Sequence, residues 1–386
     1  HLIHTKENLI LKKEAFRMRR VLLLIIFSLA IIGVKAEPIS AVWVLPWDLV
    51  RPGSIDTVLV NLQANGQNTL LAEVRYRGDA IYLPNKQDST YHNPDPRSYI
   101  MKDSNFDALE YLLSEAKKYD IEVHAWITTL VVTPHDLSKL PLNHIYYQHP
   151  EWITTDLAGN IMPLTSAEGY FLDPGLPQVR EYTLNVINDI LLNYPQLAGL
   201  HLDYIRYPGE DYGYHPQAME IFEKSIIPNT YSNRMLWKEA LITKFVKDIY
   251  QRVKELNPRL ELSAAVIADK VKGRAKYSQN WQEWLNQGVI DKVYLMAYTK
   301  EDNVLAQQLK DPELAIYKDK VIVGLRAWND GKKNYNVNEI ASKINVSRAQ
   351  GFENIGLFSY GGIMENNYWT KLRELFAKTN EIKETN

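Results

Sequence analysis

Eight apolar segments recur along this chain, and amphipathic segments separate them. Each apolar segment is a nearly continuous run of β-branched and other apolar residues, not an alternation of apolar and polar positions. Such runs are typical of strands in a parallel sheet that is buried on both faces. The predicted strands are AVWVLPW (41–47), TLLAEVRY (69–76), IEVHAWITT (121–129), AGLHLDYI (198–205), LELSAAVIA (260–268), DKVYLMAYT (291–299), KVIVGLRAW (320–328) and NIGLFSYGG (354–362).

The segments between the strands have the spacing of amphipathic helices. In the first of them, Ile55, Val58, Leu59 and Leu62 recur at helical spacing until Gly66 ends the pattern. Eight strand-and-helix units predict the α/β class and a single-domain (β/α)8 TIM barrel. No glycine-rich phosphate-binding turn follows the first strand, which disfavours an open doubly wound sheet. Further helices are predicted from Phe106, from Pro177 and over 235–256, 280–287, 303–310, 337–350 and 368–378.

The first 36 residues have the features of upstream residues followed by a secretory signal peptide. Two arginines precede the apolar run VLLLIIFSLAIIGV, and the small-residue pattern VKA ends at position 36. The alternative is a membrane anchor, but the run is short for a span. We therefore expect residues 37–386 to form the barrel domain, exported to the periplasm or secreted, with no membrane attachment after cleavage.

One connection is much longer than an ordinary βα loop. It runs from Leu130 to Pro177, between the third predicted strand and the third predicted helix. Long loops at the carboxyl ends of barrel strands commonly shape the binding site. We therefore expect this long loop, between the third strand and the third predicted helix, to fold over the barrel mouth.

Composition and charge exclude several classes of function. The chain has no cysteine, so disulfides, thiolate nucleophiles and thiolate metal sites are absent. The net charge is -2, and it becomes -7 without the first 36 residues, which carry +5; this argues against a nucleic-acid partner. His135, His144 and His149 lack the spacing of a tight metal motif. We predict neither a metal nor a cofactor, and the sequence leaves the oligomeric state open.

Aromatic, arginine and carboxylate residues gather where the predicted strands end. In a TIM barrel these ends carry the chemistry, and this mixture suits a polysaccharide cleft with aromatic platforms for sugar rings. Core packing is the alternative for each aromatic residue, and an ion pair that stabilises the barrel is an equal alternative for Arg75 and Arg326. The predicted substrate-binding residues are Trp47, Arg75, Trp126, Arg206, Tyr207, Tyr298, Arg326, Trp328 and Tyr360.

Asp203 stands out because it interrupts an apolar strand in the stretch GLHLDYIRYPGE. A carboxylate at the end of a buried strand loses hydration, so it is retained where it is paired, caps a helix or has a function. Pairing with Arg206 or His201 is the structural alternative. We predict that Asp203 is a catalytic residue.

Six segments, which begin with AVWVLPWDLV and include GLHLDYIRYP and KVYLMAYT, follow one another along roughly residues 40–360. Together they resemble the glycosyl-hydrolase-like 10 family of bacterial exported TIM-barrel proteins. The resemblance implies a carbohydrate substrate and a relation to retaining glycosidases. Asp203, Arg206, Tyr207 and Pro208 match its D-Y-x-R-Y-P setting on the fourth strand. The segments are AVWVLPWDLV, EVRYRGDAIYLP, HPEWITTDLAGN, FLDPGLPQVREY, GLHLDYIRYP and KVYLMAYT.

By analogy with related α-glucan-cleaving barrels, the resemblance implies that Asp203 is the nucleophile and Asp269 the general acid. Those relatives carry a glutamate where this chain has Asp269, so other carboxylates stay open as the acid. These are Glu73, Asp79, Glu301 and Asp302.

The favoured function is thus an exported glycoside hydrolase that cleaves O-glycosidic bonds of a polysaccharide or cell-wall glycan through a carboxylate pair including Asp203. The alternative is a non-catalytic carbohydrate-binding barrel that has lost its acid. Substrate-assisted chitinase chemistry is disfavoured, because GLHLDYIRYPGE lacks the D-x-x-D-x-D-x-E pattern.

Overall fold

Eight parallel strands close into a barrel in their order along the chain. The computed structural model describes residues 37–87, 91–329 and 336–381, and the predicted signal peptide lies outside them. The closed barrel confirms the predicted TIM-barrel fold. The strands are β1 (Ser40–Val44), β2 (Thr69–Arg75), β3 (Glu122–Thr128), β4 (Gly199–Asp203), β5 (Glu261–Ile267), β6 (Lys292–Met296), β7 (Val321–Arg326) and β8 (Ile355–Phe358).

The helices surround this barrel, and those that the sequence pattern did not predict are all short. Among the described residues, none is long and apolar enough to cross a membrane. The helices are α1 (Pro52–Ala64), α2 (Ala108–Ala116), α3 (Ile145–Gln148), α4 (Pro177–Asn193), α5 (Pro216–Glu223), α6 (Tyr231–Leu256), α7 (Lys270–Tyr277), α8 (Trp281–Asn286), α9 (Asp302–Leu309), α10 (Pro312–Ile316), α11 (Val337–Ala349), α12 (Tyr360–Glu365) and α13 (Trp369–Glu381).

Local sequence signals fix where the helices begin. Asp107 caps α2, since its side chain accepts a hydrogen bond from the Glu110 N–H. Pro177 occupies the first turn of α4, where the missing N–H costs no helical hydrogen bond. Asn336 and Glu339 form a reciprocal capping box at the start of α11. These caps place the helix starts, and therefore the loops of the barrel mouth, at defined positions.

The interior of the barrel is filled by large side chains. Trp43 donates a hydrogen bond from Nε1 to His201 Nε2 at 3.1 Å, and His201 Nδ1 lies 2.9 Å from Ser263 Oγ. Burial lowers the pKa of His201 well below its usual value, so the ring is neutral. The barrel is a packed core rather than a pore, and a substrate therefore has access only at its rim. The apolar side chains of this interior cluster are Ala41, Trp43, Leu71, Trp126, Tyr294 and Ile322.

The long connection after β3 is ordered by backbone pairing with itself. Val131 forms an antiparallel bridge with Phe171, and Ile153 forms one with Leu172. A Cβ added at Gly169, whose φ is +146°, would lie 1.9 Å from the Thr133 carbonyl oxygen. Only glycine therefore fits at this close approach.

Gly169→Ala is expected to lower the free energy of unfolding by about 1–3 kcal/mol, because strain of this kind has that cost. Urea denaturation of the wild type and the variant measures the difference. The control is Gly53→Ala on α1, where an added Cβ meets no atom within 4 Å and alanine is expected to be neutral or to stabilise by up to about 1 kcal/mol. Equal effects of the two substitutions would contradict the close packing at Gly169.

Candidate functional site

Asp203 ends β4 at the carboxyl rim of the barrel, and only 9% of its surface is exposed. The next residue, Tyr204, has a left-handed φ of +53°, and its N–H donates to Asp203 Oδ1 at 2.7 Å. Left-handed backbone at a tyrosine is strained, and such strain clusters at functional sites. The carboxylate is therefore held in one orientation by the turn that follows it.

Burial raises the pKa of Asp203 to about 6. The Tyr204 N–H and the guanidinium groups of Arg206 and Arg77 lower this pKa, and the carboxylate of Glu168 raises it. The effect of burial is the largest of these. Asp203 can therefore gain and lose a proton near neutral pH, which is what acid and base catalysis requires.

Two arginines flank Asp203. The Arg206 guanidinium stacks on the Tyr277 ring at 4.7 Å and on the Tyr204 ring at 5.0 Å. The Arg77 guanidinium lies 4.4 Å from the centroid of Tyr76 and lowers the pKa of Asp203. Stacked guanidinium groups lose little further freedom when they bind a ligand, so both are suited to contact sugar hydroxyls.

Glu73, on β2, is the buried neighbour of Asp203. It follows Leu71 by two residues, and Leu71 belongs to the interior cluster, so Glu73 also points into the barrel. Burial raises the pKa of Glu73 well above its usual value of 4.5; Arg77 lowers it, and the charge of Asp203 raises it. Its Oε2 is buried and has no hydrogen-bond partner within the described ranges. Burial therefore favours the protonated form of Glu73, which lies beneath the charged groups of the rim.

Glu73→Gln is expected to stabilise the protein more at pH 8 than at pH 4.5. The folded-state pKa of Glu73 lies above the unfolded value, so its stabilising contribution is complete below about pH 4.5 and declines as the pH rises toward the folded-state pKa. Glutamine does not titrate. Since one pKa unit equals about 1.4 kcal/mol, the variant's advantage in unfolding free energy should grow by more than about 1 kcal/mol between these pH values.

Urea denaturation at both pH values measures this advantage. The control is Glu181→Gln, at an exposed position of α4, where a surface substitution is expected to change the unfolding free energy by less than about 0.5 kcal/mol. A pH dependence that is the same in the two variants would show that Glu73 is not a buried neutral acid.

Glu168 is the second carboxylate that acts on Asp203. It lies in the long connection after β3, and 47% of its side chain is exposed. Its Oε1 is 3.5 Å from Arg206 Nη2. The sequence reasoning missed Glu168, because it lies 35 residues before Asp203 in a loop with no regular pattern. Its position depends on the pairing of that loop with itself.

Three of the other carboxylates that were considered as the acid, Asp269, Asp79 and Asp302, make structural contacts. Asp269 is exposed and caps α7, accepting from the Lys272 N–H at 3.0 Å. Asp79 is buried and accepts from Ser98 Oγ at 2.7 Å. No hydrogen bond or ion pair links either of them to Asp203 among the residues described. Glu301 and Asp302 begin α9, where Asp302 pairs with Lys343.

Aromatic side chains line the rim near Asp203. The Tyr298 ring lies 5.2 Å from Trp328 and 5.6 Å from Phe358. Burial, and with it the charge of Asp203, raises the pKa of Tyr298 well above its usual value. The Arg326 guanidinium lies 4.6 Å from the Trp328 ring centroid. These predicted residues therefore do come together on one side of the mouth.

Trp47 lies just after β1, which is separated from β7 by only one strand of the closed barrel. It is 47% exposed, and its ring meets Tyr76 at 5.2 Å in an edge-to-face contact. The Arg77 guanidinium in turn lies over the Tyr76 ring. Trp47 thus combines exposed indole surface with a guanidinium group on the neighbouring tyrosine. Both groups are available to a ligand at this part of the rim, as the prediction for Trp47 requires.

Four predicted substrate-binding residues lie within the packed protein. Trp126 is 2% exposed in the barrel interior, and Tyr207 is fully buried beside Lys238. Tyr360 was placed at a strand end, but β8 stops at Phe358 and Tyr360 begins α12, where its hydroxyl accepts from Asn61. For these aromatic residues the geometry favours the core alternative.

Arg75, the fourth of these predicted substrate-binding residues, forms a buried ion pair with Asp95. Its Nε lies 2.6 Å from Asp95 Oδ2, and its Nη2 donates to Tyr182 Oη at 2.7 Å. Its Nη1 donates to the Thr128 carbonyl. The side chain is 1% exposed, and burial alone would lower the pKa of Arg75, whereas Asp95 and Tyr182 raise it. This arrangement favours the structural ion pair over a substrate contact.

No group of three or more histidine, aspartate or glutamate side chains in the described part of the chain could hold a metal ion. His144 caps α3 and lies 2.7 Å from the Arg77 carbonyl. His149 stacks on Trp152 at 3.9 Å. These histidines therefore serve to order the long connection.

Two comparisons with solved structures concern the fold. The glycoside hydrolase domain of PgaB (BpsB) from Bordetella bronchiseptica superimposes with a TM-score of 0.68 at 15% identity, covering 88% of this chain and 99% of that one. The endo-1,4-β-D-mannanase of Thermotoga petrophila RKU-1 gives a TM-score of 0.57 at 12% identity, with the same coverage.

Curated relatives are similar over part of their length. Glycosyl hydrolase DigH of Escherichia coli K12 is 23% identical over 269 residues, which are 62% of this chain and 56% of DigH. Glycosyl hydrolase YngK of Bacillus subtilis 168 is 26% identical over 208 residues, 52% of this chain and 37% of YngK. The chain thus spans only about half the length of DigH and less of YngK. Residues 38–347 match the family Glycosyl hydrolase-like 10, and the chain belongs to that family.

Proposed function

We propose that this protein is an exported, retaining glycoside hydrolase that cleaves O-glycosidic bonds in a polysaccharide or cell-wall glycan. Asp203 is the residue that exchanges protons with the substrate. The observation that carries the proposal is a buried carboxyl group, with its pKa raised to about 6, on a barrel rim that also bears aromatic and arginine side chains.

The role of Asp203 follows from its surroundings. A group that gives a proton to the leaving oxygen and later takes one from water needs a pKa near the working pH. Burial supplies this shift in Asp203. The role differs from that of the nucleophile, which the family resemblance implies for the same residue, because a nucleophile should stay ionised throughout.

The rim supplies the binding groups for sugar rings. Tyr298 and Trp328 form one aromatic cluster after β6 and β7, and Trp47 adds a half-exposed indole after β1. Aromatic faces pack on the C–H faces of pyranose rings, and the two flanking arginines can bind hydroxyl groups. The similar proteins DigH and YngK are both named glycosyl hydrolases, which also supports a glycan substrate.

Export rests on the leader sequence, in which two arginines and an apolar run precede a small-residue pattern. Expression in bacteria with and without residues 1–36, followed by N-terminal sequencing of the protein outside the cytoplasm, tests this part. We expect the exported form to begin at residue 37.

Product release tests the function. The mature protein and Asp203→Asn are incubated with purified peptidoglycan strands and a panel of polysaccharides, and soluble products are identified by mass spectrometry. Oligosaccharides released by the wild type alone are the expected result. Binding without release by either protein would overturn the hydrolase and favour the carbohydrate-binding alternative.

A further inference from the structure

We propose that Glu168 is the second catalytic carboxylate and that it acts as the nucleophile opposite Asp203. This inference rests on the proposed function and deepens it, because it assigns the partner of Asp203 to the long connection after β3. Neither the strand ends nor the family resemblance points to this residue.

The first support is that the backbone at Glu168 is held in place. The Ala167 carbonyl lies 2.9 Å from His135 Nε2, and the Tyr170 N–H donates to Thr133 Oγ1 at 2.9 Å. Gly169, directly after Glu168, approaches the Thr133 backbone so closely that no other residue fits. These contacts fix the loop on both sides of the carboxylate, as a catalytic group requires.

The second support is the ion pair with Arg206. The Arg206 side chain is 8% exposed and is stacked on Tyr204 and Tyr277, so it is a rigid partner. It lies 3.5 Å from Glu168 Oε1 and also acts electrostatically on Asp203. One arginine therefore connects both carboxylates, and it holds the Glu168 side chain on the same side of the rim as Asp203.

The third support is accessibility. About half of the Glu168 side chain is exposed, whereas Glu73, the other carboxyl group that interacts with Asp203, is 1% exposed within the barrel. A nucleophile must touch the anomeric carbon. Glu168 can reach a sugar bound on the rim, and Glu73 cannot.

The reaction then follows in two balanced steps. A Glu168 carboxylate oxygen forms a bond to the anomeric carbon while the bond from that carbon to the glycosidic oxygen breaks, and Asp203 gives its proton to the leaving oxygen. Asp203, now ionised, takes a proton from water. The water oxygen forms the new bond to the anomeric carbon, the Glu168 ester bond breaks, and configuration is retained.

Labelling of the nucleophile tests the assignment. The wild type is treated with activated 2-deoxy-2-fluoro or 5-fluoro glycosyl fluorides of glucose, galactose, mannose and N-acetylglucosamine, then digested with trypsin. Cleavage after Lys139, Arg180 and Arg206 places Glu168 in fragment 140–180 and Asp203 in fragment 181–206. A sugar adduct that fragmentation locates on Glu168 is expected. An adduct on 181–206, or none on 140–180, would overturn the assignment.

Kinetics separate this inference from the proposed function. Glu168→Gln should lower kcat on the oligosaccharide that the wild type cleaves by more than tenfold, and azide should restore turnover of Glu168→Ala with an azide product of inverted configuration. The control is Glu151→Gln, at a glutamate that pairs with His149 in the same loop. An active wild type with Glu168→Gln at near-normal kcat would overturn the role of Glu168 alone, whereas an inactive wild type would overturn the proposed function.

Discussion

Asp203→Asn is expected to lower kcat by about 10²–10⁴-fold, because asparagine keeps the shape of the side chain but has no proton to give. In the wild type, kcat/KM should fall as the pH rises through about 6. Asp203 must be protonated in order to donate a proton to the leaving oxygen, and its pKa is about 6. The variant should lose this limb of the pH profile together with its activity. Initial rates of product release between pH 4 and pH 9 measure both effects.

The matched control is Asp269→Asn, at the aspartate that follows β5. Asp269 is exposed and caps α7, so its replacement should leave kcat and the pH profile close to those of the wild type. A loss in Asp269→Asn as large as in Asp203→Asn would restore the acid role that the family analogy assigns to Asp269. A kcat/KM that rises through pH 6 would instead favour Asp203 as the nucleophile.

The fold could be predicted from the sequence because its signal is local. Seven of the eight apolar runs contain a whole observed strand, and the first overlaps β1, which begins one residue earlier at Ser40. The spacing of Ile55, Val58 and Leu59 marks a helix that the structure places at Pro52–Ala64. The unpredicted helices have eight residues or fewer, which is too short for a periodic pattern to be distinguished from a loop. Asp203 could also be found, because a carboxylate that ends an apolar strand is costly to bury.

The partners of Asp203 could not be found in the same way. Glu168 reaches the rim through a loop whose path depends on Gly169 and Thr133, and no local pattern encodes that path. Arg75 and Arg77 lie at the same strand end and look alike in the sequence, yet one pairs with Asp95 in the interior and the other stacks on Tyr76 at the rim. Distinguishing them requires the position of Asp95, which comes from the loop before α2.

Arg75→Met is expected to lower the free energy of unfolding by about 3–5 kcal/mol, because it leaves the Asp95 carboxylate buried without its charged partner. Asp95 is buried, with the Tyr182 hydroxyl as its other partner. The ion pair also joins the end of β2 to the loop before α2 and to α4. Urea denaturation measures the loss, and the slope of unfolding free energy against urea should not change.

Two further variants decide whether the loss comes from the unpaired charge. Arg75→Met combined with Asp95→Leu removes both charges and should recover a large part of the stability, since a buried pair replaced by apolar groups is often neutral. Lys244→Ala breaks the exposed Lys244–Asp248 pair on α6 and should cost less than about 1 kcal/mol. If the double variant were no more stable than Arg75→Met, the loss would come from packing of the arginine stem. In that case Arg75 would stabilise the barrel through the shape of its side chain, and the charge of its guanidinium would contribute little.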